Sequence, residues 1–140
     1  MRKIGLFIGM VFLIAATGEG ADNKFDLQCS GTKTIKSLWV EKAEQYTIVY
    51  RINLGEKKWC EGECKAINDF HAIQPGFLTF RANVGNISSG HDRVDRETGA
   101  HMRGETVQGG RGVDSKVVWS WEGQCERAEF SGFPKLETKF

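Results

Sequence analysis

From residue 22 onward, apolar and polar residues alternate with a period of two along much of the chain. The pattern is clearest in residues 25–29, 46–54 and 117–125, where almost every second residue is aliphatic, aromatic or a cysteine. Successive side chains of a β-strand point to opposite faces of a sheet, so this period is typical of half-buried strands. The pattern therefore predicts long strands at the beginning, in the first half and near the end of the chain.

Turn-forming residues mark further strands between these. Pro75-Gly76 precedes an apolar segment at 77–82, and Gly99 separates the strand-like segments 87–95 and 100–107. Proline presets the φ angle of a turn, and glycine accepts the positive φ that a tight hairpin needs. We therefore predict a strand after the first turn and a hairpin closed at Gly99.

Two segments have weaker patterns. Residues 35–45 mix helix-favouring Glu and Ala with strand-favouring Trp and Val, and we predict strand or irregular structure there rather than a helix. The tail from residue 128 is predicted to form an extended arm that covers the sheet. Its predicted anchors are Phe130, Phe133, Leu136 and Phe140.

These elements predict an all-β fold. Short strands with turns between them fit a small antiparallel up-and-down barrel, or a barrel-like sandwich, of about six to eight strands. Closure of the sheet is attractive because it removes exposed strand edges.

The first 21 residues predict an exported protein. Arg2 and Lys3 precede an uncharged apolar run, and small residues follow it. This is the pattern of a secretory signal peptide, with cleavage after Gly18 or after Ala21 as the alternatives. The apolar run is too short to cross a bilayer comfortably. We therefore expect a single β domain at 22–140, periplasmic or secreted, with no membrane span after processing.

Four cysteines in the mature part predict two disulfides. An even count in a small exported chain is typical of a disulfide framework. Of the three possible pairings we favour Cys60–Cys64, a tight loop around Gly62, with Cys29–Cys125, which would join the first strand to the last. The spacing of Cys60 and Cys64 differs from that of a Cys-x-x-Cys redox pair, so we expect neither redox chemistry nor a metal there.

Charge argues against nucleic acid as a partner. Removal of residues 1–21 takes two of the 19 basic residues and one of the 18 acidic residues, which leaves 17 of each. Binding to phosphates needs an excess of basic residues on one face. A near-neutral domain offers no such excess.

Candidate catalytic groups are few. His71 is expected to be a half-buried structural residue and His101 to be exposed after the hairpin turn. His91 and its neighbour Asp92 would point to opposite faces of a strand, so they do not form a dyad by spacing alone. We therefore expect no catalytic residue, no metal site, no cofactor and no enzyme activity.

Aromatic residues suggest a binding role. Trp119 and Trp121 share one strand face, and Tyr46 and Tyr50 share another. In a barrel these four side chains would first of all be part of the packed core. Only in a wide barrel would they line a pocket for a small apolar ligand. A periplasmic protein is the alternative partner, which the loops 86–90 and 108–112 would contact.

The chain resembles a group of short exported bacterial proteins. The shared segments, in chain order, are FDLQCSGT at 25–32, YRINL at 50–54, WC at 59–60, RVDRETG at 93–99, WEGQC at 121–125 and FSGFP at 130–134. The resemblance implies a bacterial envelope or secreted location and carries over no activity or functional residue. The opening strand that ends in Cys29 and the Trp-rich strand before Cys125 are also similar to those of periplasmic lysozyme inhibitors.

We therefore expect a non-catalytic binding or interaction module of the bacterial envelope. A periplasmic inhibitor of a cell-wall hydrolase is the first alternative, which the likeness to lysozyme inhibitors implies. A small hydrolase that uses His91 and Asp95 is the second.

Overall fold

A computed structural model describes residues 22–109 and 115–135 of the 140-residue chain. These residues form nine strands and no helix, which confirms the predicted all-β class. The strands are β1 (Lys24–Lys36), β2 (Glu41–Asn53), β3 (Lys58–Glu61), β4 (Asn68–Asp69), β5 (Ala72–Ile73), β6 (Phe77–Val84), β7 (Ser88–Asp95), β8 (Ala100–Gln108) and β9 (Lys116–Ala128).

All nine strands belong to one antiparallel sheet, in the order β4-β3-β2-β1-β9-β8-β7-β6-β5. Strands that follow one another along the chain are neighbours except β4 and β5, which lie at the two edges, and at the centre the first strand, β1, pairs with the last, β9. Cys29 lies directly opposite Cys125 in that pair, and a disulfide joins them. A second disulfide joins Cys60 to Cys64. Both bonds have the predicted pairing.

The chain connects the two edges of the sheet directly. β4 and β5 are two residues long each, lie at opposite edges and are separated in sequence by Phe70 and His71. This short connection curls the sheet into a half-barrel. We call the end that holds β3, β4 and β5 the closed end. At the opposite, open end lie the turns at 37–40 and 85–87.

The number of strands differs from the six to eight predicted. β4 and β5 account for the difference, because a two-residue strand is too short to show a period of two. Both are held by pairing with a longer neighbour, β4 with β3 and β5 with β6. Their position was therefore set by tertiary structure rather than by local sequence.

The apolar core fills the closed end. Its buried members are Phe25, Leu27, Cys29, Tyr50, Ile52, Trp59, Leu78, Phe80, Val94 and Cys125. Tyr50 of β2 stacks on Phe80 of β6 across the interior, with ring centroids 4.2 Å apart, and Trp59 packs against both rings. The interior at this end is thus occupied by side chains from opposite walls.

Most weakly patterned segments adopt the structure expected. Residues 35–45 are strand on both sides of a tight turn, in which the Ser37 amide donates to the Val40 carbonyl oxygen at 2.8 Å. The hairpin between β7 and β8 closes at Gly99, whose φ is 75°. Along the described residues, no helix is long and apolar enough to cross a membrane.

The tail follows the convex face of the sheet as an arm without regular structure. Ser131 donates through its hydroxyl to Asp26 at 2.6 Å, and Arg51 donates to the Gly132 carbonyl oxygen at 2.8 Å. Phe130 and Phe133 pack edge to face on one another. The other two predicted anchors, Leu136 and Phe140, lie outside the described residues, as do the predicted signal peptide and most of the loop 108–112.

Candidate functional site

The concave face carries a row of charged side chains between the apolar core and the open end. In sheet order from β2 to β6, the register places in this row Glu44, Lys33, Trp121, Arg103, Asp92 and Arg81. A register shift between Thr79 and Arg81 brings Arg81 opposite Asp92, because a bulge changes the face to which later side chains point. Each charge in the row therefore has an opposite charge or an aromatic ring beside it.

Trp121 lies at the centre of this row between two cations. The Arg103 guanidinium lies 4.7 Å from the centroid of the indole, and the Lys33 ammonium lies 5.3 Å from it. Cations over the face of a tryptophan are attracted by the negative potential of the ring. These contacts hold both basic side chains flat on the concave surface.

Glu61 of β3 joins the row from the opposite wall. Its carboxylate accepts from Arg103 at 3.2 Å and from Arg81 at 3.3 Å. Arg103 also donates to Glu105 at 2.9 Å. Burial alone would lower the pKa of Arg103, but the bond to Glu105 and the charges of Asp92 and Glu61 raise it overall. Arg103 is thus fixed as a cation between three carboxylates.

A buried polar network lies beneath the row. Asp92 and His101 are each 1% exposed, and Tyr50 is fully buried. The Tyr50 hydroxyl donates to Asp92 at 2.9 Å, and His101 Nε2 lies 3.0 Å from Asp92 Oδ1. A carboxylate accepts hydrogen bonds, so Nε2 is the donor to Asp92 in this pair. The buried charge of Asp92 is therefore satisfied by two donors from other strands.

Tyr46 reaches this network across two strands. The register places Gly31 and Gly123 between Tyr46 of β2 and His101 of β8. A Cβ at Gly123 would collide with the Tyr46 hydroxyl and with the Ser30 carbonyl oxygen. Without those side chains, the Tyr46 hydroxyl lies 2.7 Å from His101 Nδ1 and donates to it. Gly123 therefore makes room for the bond, and Gly31, where a Cβ would meet the backbone of Glu122 and Gly123, lets β1 and β9 lie close together.

Both tyrosines resist ionisation. Burial, and then the negative charge of Asp92, raise the pKa of Tyr46 to about 12. The same two causes raise the pKa of Tyr50 still further above its ordinary value. A phenol whose pKa is raised is a poor nucleophile and a poor base at neutral pH. The network is thus better suited to fixing three strands, β2, β7 and β8, together than to proton transfer.

A cavity of about 270 Å³ adjoins the row at the open end. Its lining includes Arg81, Asp92, Arg103 and Glu105, with backbone and hydroxyl groups of residues 88–90. None of the four predicted pocket aromatics, Tyr46, Tyr50, Trp119 and Trp121, lines this cavity. A larger cavity of about 530 Å³ has two of them, Trp119 and Trp121, in its lining, together with Met102 and Val118.

The four predicted pocket residues all lie on the concave side of the sheet. Tyr50 and Trp121 are buried, while Tyr46 and Trp119 are partly exposed. Tyr50 belongs to the packed core and Tyr46 to the network above it. The structure thus places these aromatics on one wall, in the order of their strands, and a pocket that they share stays a prediction.

Two expectations about histidines are wrong. His101 is buried rather than exposed, because strand β8 begins at Ala100 and its second residue faces the interior. His71 is exposed rather than half-buried, because it lies in the link between the two short edge strands. His91 and Asp92 do point to opposite faces, as expected, with Asp92 buried and His91 exposed.

The structure does not bring His91 and Asp95 together. Four residues of strand separate them, which corresponds to about 13 Å. The Asp95 carboxylate instead accepts from the amides of Glu97 and Thr98 at the turn, and these bonds lower its pKa. Asp95 is thus part of the hairpin turn between β7 and β8.

One group of possible metal ligands occurs among the described residues. Side-chain atoms of Cys29, Cys125 and His101 lie within 4.8 Å of one another and are buried. A zinc ion would need the cysteines as thiolates, and here the two sulfurs are bonded to each other. In the oxidised protein this group is therefore a disulfide with a histidine beside it.

The ion pairs of Arg103 with Asp92 and Glu61 were not predicted from the sequence. The period of two did predict that alternate residues of β7 and β8 share a face. It could not show that these faces meet β3 across the interior, because that contact depends on the curl of the whole sheet. The indication available in the sequence was a polar residue at a position on the apolar face of a strand, where it needs a polar partner.

Exposed apolar side chains gather at the open end. Seven large hydrophobic residues are exposed in the described part of the chain, and all except Ile73 lie at this end. Trp39 is 90% exposed at the turn between β1 and β2, and Val84 is 96% exposed beside the turn between β6 and β7. The others are Leu38, Val40, Ile87 and Val107. We call this set the apolar rim.

A scan against protein-family models gave no match, and neither did searches of curated proteins and of solved structures. The function of this chain is therefore inferred from the geometry of its concave face and its apolar rim.

Proposed function

We propose that this protein is an exported, non-catalytic binding module of the bacterial envelope, and that it binds a segment of another protein at the open end of its half-barrel. The apolar rim is the observation that carries this proposal. Exposed apolar patches on soluble proteins often mark interaction sites, and tryptophan is prominent among residues that dominate binding energy.

The concave face next to the rim supports the same function. Trp119 and Trp121 lie near the middle of the open wall, with Lys33, Arg103 and Glu105 around them. Aromatic and arginine side chains in the middle with charged groups around them are typical of protein interfaces. The buried network under this wall keeps the surface rigid, which reduces the entropy that binding costs.

A small apolar ligand fits this geometry less well. The interior of the closed end is filled by Tyr50, Trp59 and Phe80, and both cavities near the open end have the charged side chains of Arg103 and Glu105 among their lining residues. Sites for apolar ligands are lined mainly by apolar side chains. A protein partner uses the rim, which a molecule inside the barrel would leave exposed.

The disulfides support an exported location. Such bonds persist in oxidising compartments and are rare where thiols are kept reduced. The signal-like sequence before residue 22 agrees with this. Export to the periplasm or beyond is therefore part of the proposal.

Site-specific photo-crosslinking tests the proposed contact. A photoreactive residue at Ile87 or Trp39, in protein exported by bacterial cells, should yield an adduct with a different chain. The matched control position is Glu126, which is exposed on β9 far from the rim. Purified wild-type protein should suppress the adduct, and the variant Val84→Ser/Ile87→Ser should suppress it much less.

Equal adducts from Glu126 and the rim, or equal competition by the variant, would count against the proposal. If the trapped chain is a cell-wall hydrolase, its activity should fall when the purified protein is added. Unchanged hydrolase activity at micromolar protein would exclude the inhibitor form of the proposal and leave the binding role.

A further inference from the structure

β2 has a long unpaired edge at the open end. Its pairing with β3 covers only Tyr50 to Asn53, and the Gly62 amide adds one bond to the Val49 carbonyl oxygen. The other side of β2 pairs with β1 over thirteen residues without a register shift. From Glu41 to Ile48 the strand is therefore regular and has a neighbour on one side only among the described residues.

The hydrogen-bonding groups of this edge belong to alternate residues. The Val49 carbonyl points away from β1, since it accepts from Gly62. In a regular strand the amide and carbonyl of every second residue point to the same side. The groups of Glu41, Ala43 and Gln45 therefore also point to the free edge. They are the donors and acceptors that an added strand would use.

The charges beside this edge are arranged symmetrically about Ala43. Lys42 precedes it and Glu44 follows it, and both side chains point to the concave face. Lys42 and Lys33 lie near Glu44 and lower its pKa, so Glu44 is ionised at neutral pH. When two copies of Lys42-Ala43-Glu44 lie antiparallel, the lysine of each copy can therefore face the glutamate of the other.

Charge favours the register centred on Ala43 over the two adjacent registers for two antiparallel copies of β2. A pairing centred on Lys42 would set two lysines opposite each other, and one centred on Glu44 would set two glutamates opposite each other. A pairing centred on Ala43 sets Lys42 opposite Glu44 of the second copy at both symmetric positions. Opposite charges in facing positions stabilise antiparallel strands, and like charges destabilise them. These side chains would occupy non-hydrogen-bonded positions, where facing side chains are closer.

We propose that a second copy of this chain binds at the β2 edge, in antiparallel register centred on Ala43, and that the protein forms a symmetric dimer with one continuous sheet. The described part of the tail does not compete for this edge, because Arg51 and Asp26 hold it at the closed end. The dimer goes beyond the proposed partner contact and leaves the turn between β6 and β7 free. The two proposals can therefore fail separately.

Charge exchange between two variants tests both the dimer and its register. Sedimentation of the disulfide-bonded protein up to millimolar concentration should show a dimer for the wild type. Lys42→Glu and Glu44→Lys should each weaken self-association by roughly tenfold or more, because each sets like charges opposite each other. An equimolar mixture of the two variants should recover the dimer as a heterodimer with complementary charges at both positions.

Lys116→Glu is the matched control, since it reverses an exposed lysine on a strand that already has two neighbours. It should associate like the wild type, and circular dichroism should show the wild-type sheet in all variants. A monomeric wild type across the concentration range would overturn the dimer. Single variants that associate normally, or a mixture that does not recover the dimer, would overturn the register.

Discussion

At the scale of single residues, Gly31 and Gly123 have the clearest role in the interior. Tyr46 reaches His101 over Gly123, where a Cβ would collide with its hydroxyl, so the bond between β2 and β8 depends on the absence of that side chain, and Gly31 lets the backbones of β1 and β9 approach closely. A glycine inside a strand usually weakens it, and it is often found where another group approaches closely. Here that group is the phenol of Tyr46 on β2, which is two strands away from Gly123 on β9.

Gly123→Ala should lower the free energy of unfolding by about 2 kcal/mol, because the new Cβ meets the Tyr46 hydroxyl and the backbone of β1. Gly76→Ala is the control, since a Cβ there meets nothing within 4 Å. Urea unfolding of both variants measures the difference. Equal stability of the two would show that Tyr46 can move aside without cost.

The burial of a single residue could be predicted only where the geometry of its own strand determines it. The alternation correctly placed His91 and Asp92 on opposite faces, because that needs only the geometry of one strand. The burial of His101 could not be predicted in the same way, since it required the exact start of β8 and the knowledge that Tyr46 covers it. A local sequence pattern does not show which residues of distant strands will contact one another.

At the scale of elements, the two disulfides constrain the chain very differently. Cys29–Cys125 closes a loop across a sequence separation of 96, whereas Cys60–Cys64 spans a separation of 4. The entropy that a crosslink removes from the unfolded chain grows with the length of the loop. The bond between β1 and β9 therefore contributes more to stability than the bond in the loop after β3.

Replacement of both Cys29 and Cys125 by alanine should lower the free energy of unfolding by about 5 kcal/mol, and replacement of Cys60 and Cys64 by about 2 kcal/mol. Denaturant unfolding of the two double variants compares them directly. The reverse order would mean that the native geometry of the bonds, rather than chain entropy, determines their contribution.

The long elements followed from sequence and the short ones did not. β1, β2 and β9 each contain a stretch that the period of two predicted, and β6, β7 and β8 lie where the turn residues predicted strands. β4 and β5 carry no such pattern and form because neighbouring strands supply their hydrogen bonds. Since these short strands close one end of the sheet, the position of the open end was equally hidden from the sequence.

At the scale of the whole molecule, the buried tyrosines couple folding to pH. The pKa of Tyr50 and that of Tyr46 are raised in the folded state, relative to an ordinary value of 10.0. Above that pH the unfolded chain loses protons that the folded chain keeps. The folded state then binds more protons, so the stability that is complete below pH 10 falls as pH rises.

The free energy of unfolding should therefore decrease between about pH 10 and pH 12, with Tyr50 contributing about 1.4 kcal/mol per pH unit. Tyr50→Phe should flatten this decrease, and Tyr46→Phe should flatten it less towards pH 12, because Tyr46 itself begins to ionise in the folded state there. Chemical denaturation at several alkaline pH values gives the slopes. Parallel slopes for the wild type and Tyr50→Phe would contradict the role of Tyr50.

The central seam between β1 and β9 also dictates an order of assembly. The arms β1-β2-β3 and β6-β7-β8 consist of local hairpins and can pair while the chain is still emerging, whereas the seam must wait until the last strand is available. During that interval Cys29 can meet Cys60 or Cys64 but not Cys125. Rapid oxidation would therefore trap mispaired bonds, and the yield of native protein would depend on slow oxidation or on an isomerase that reshuffles them.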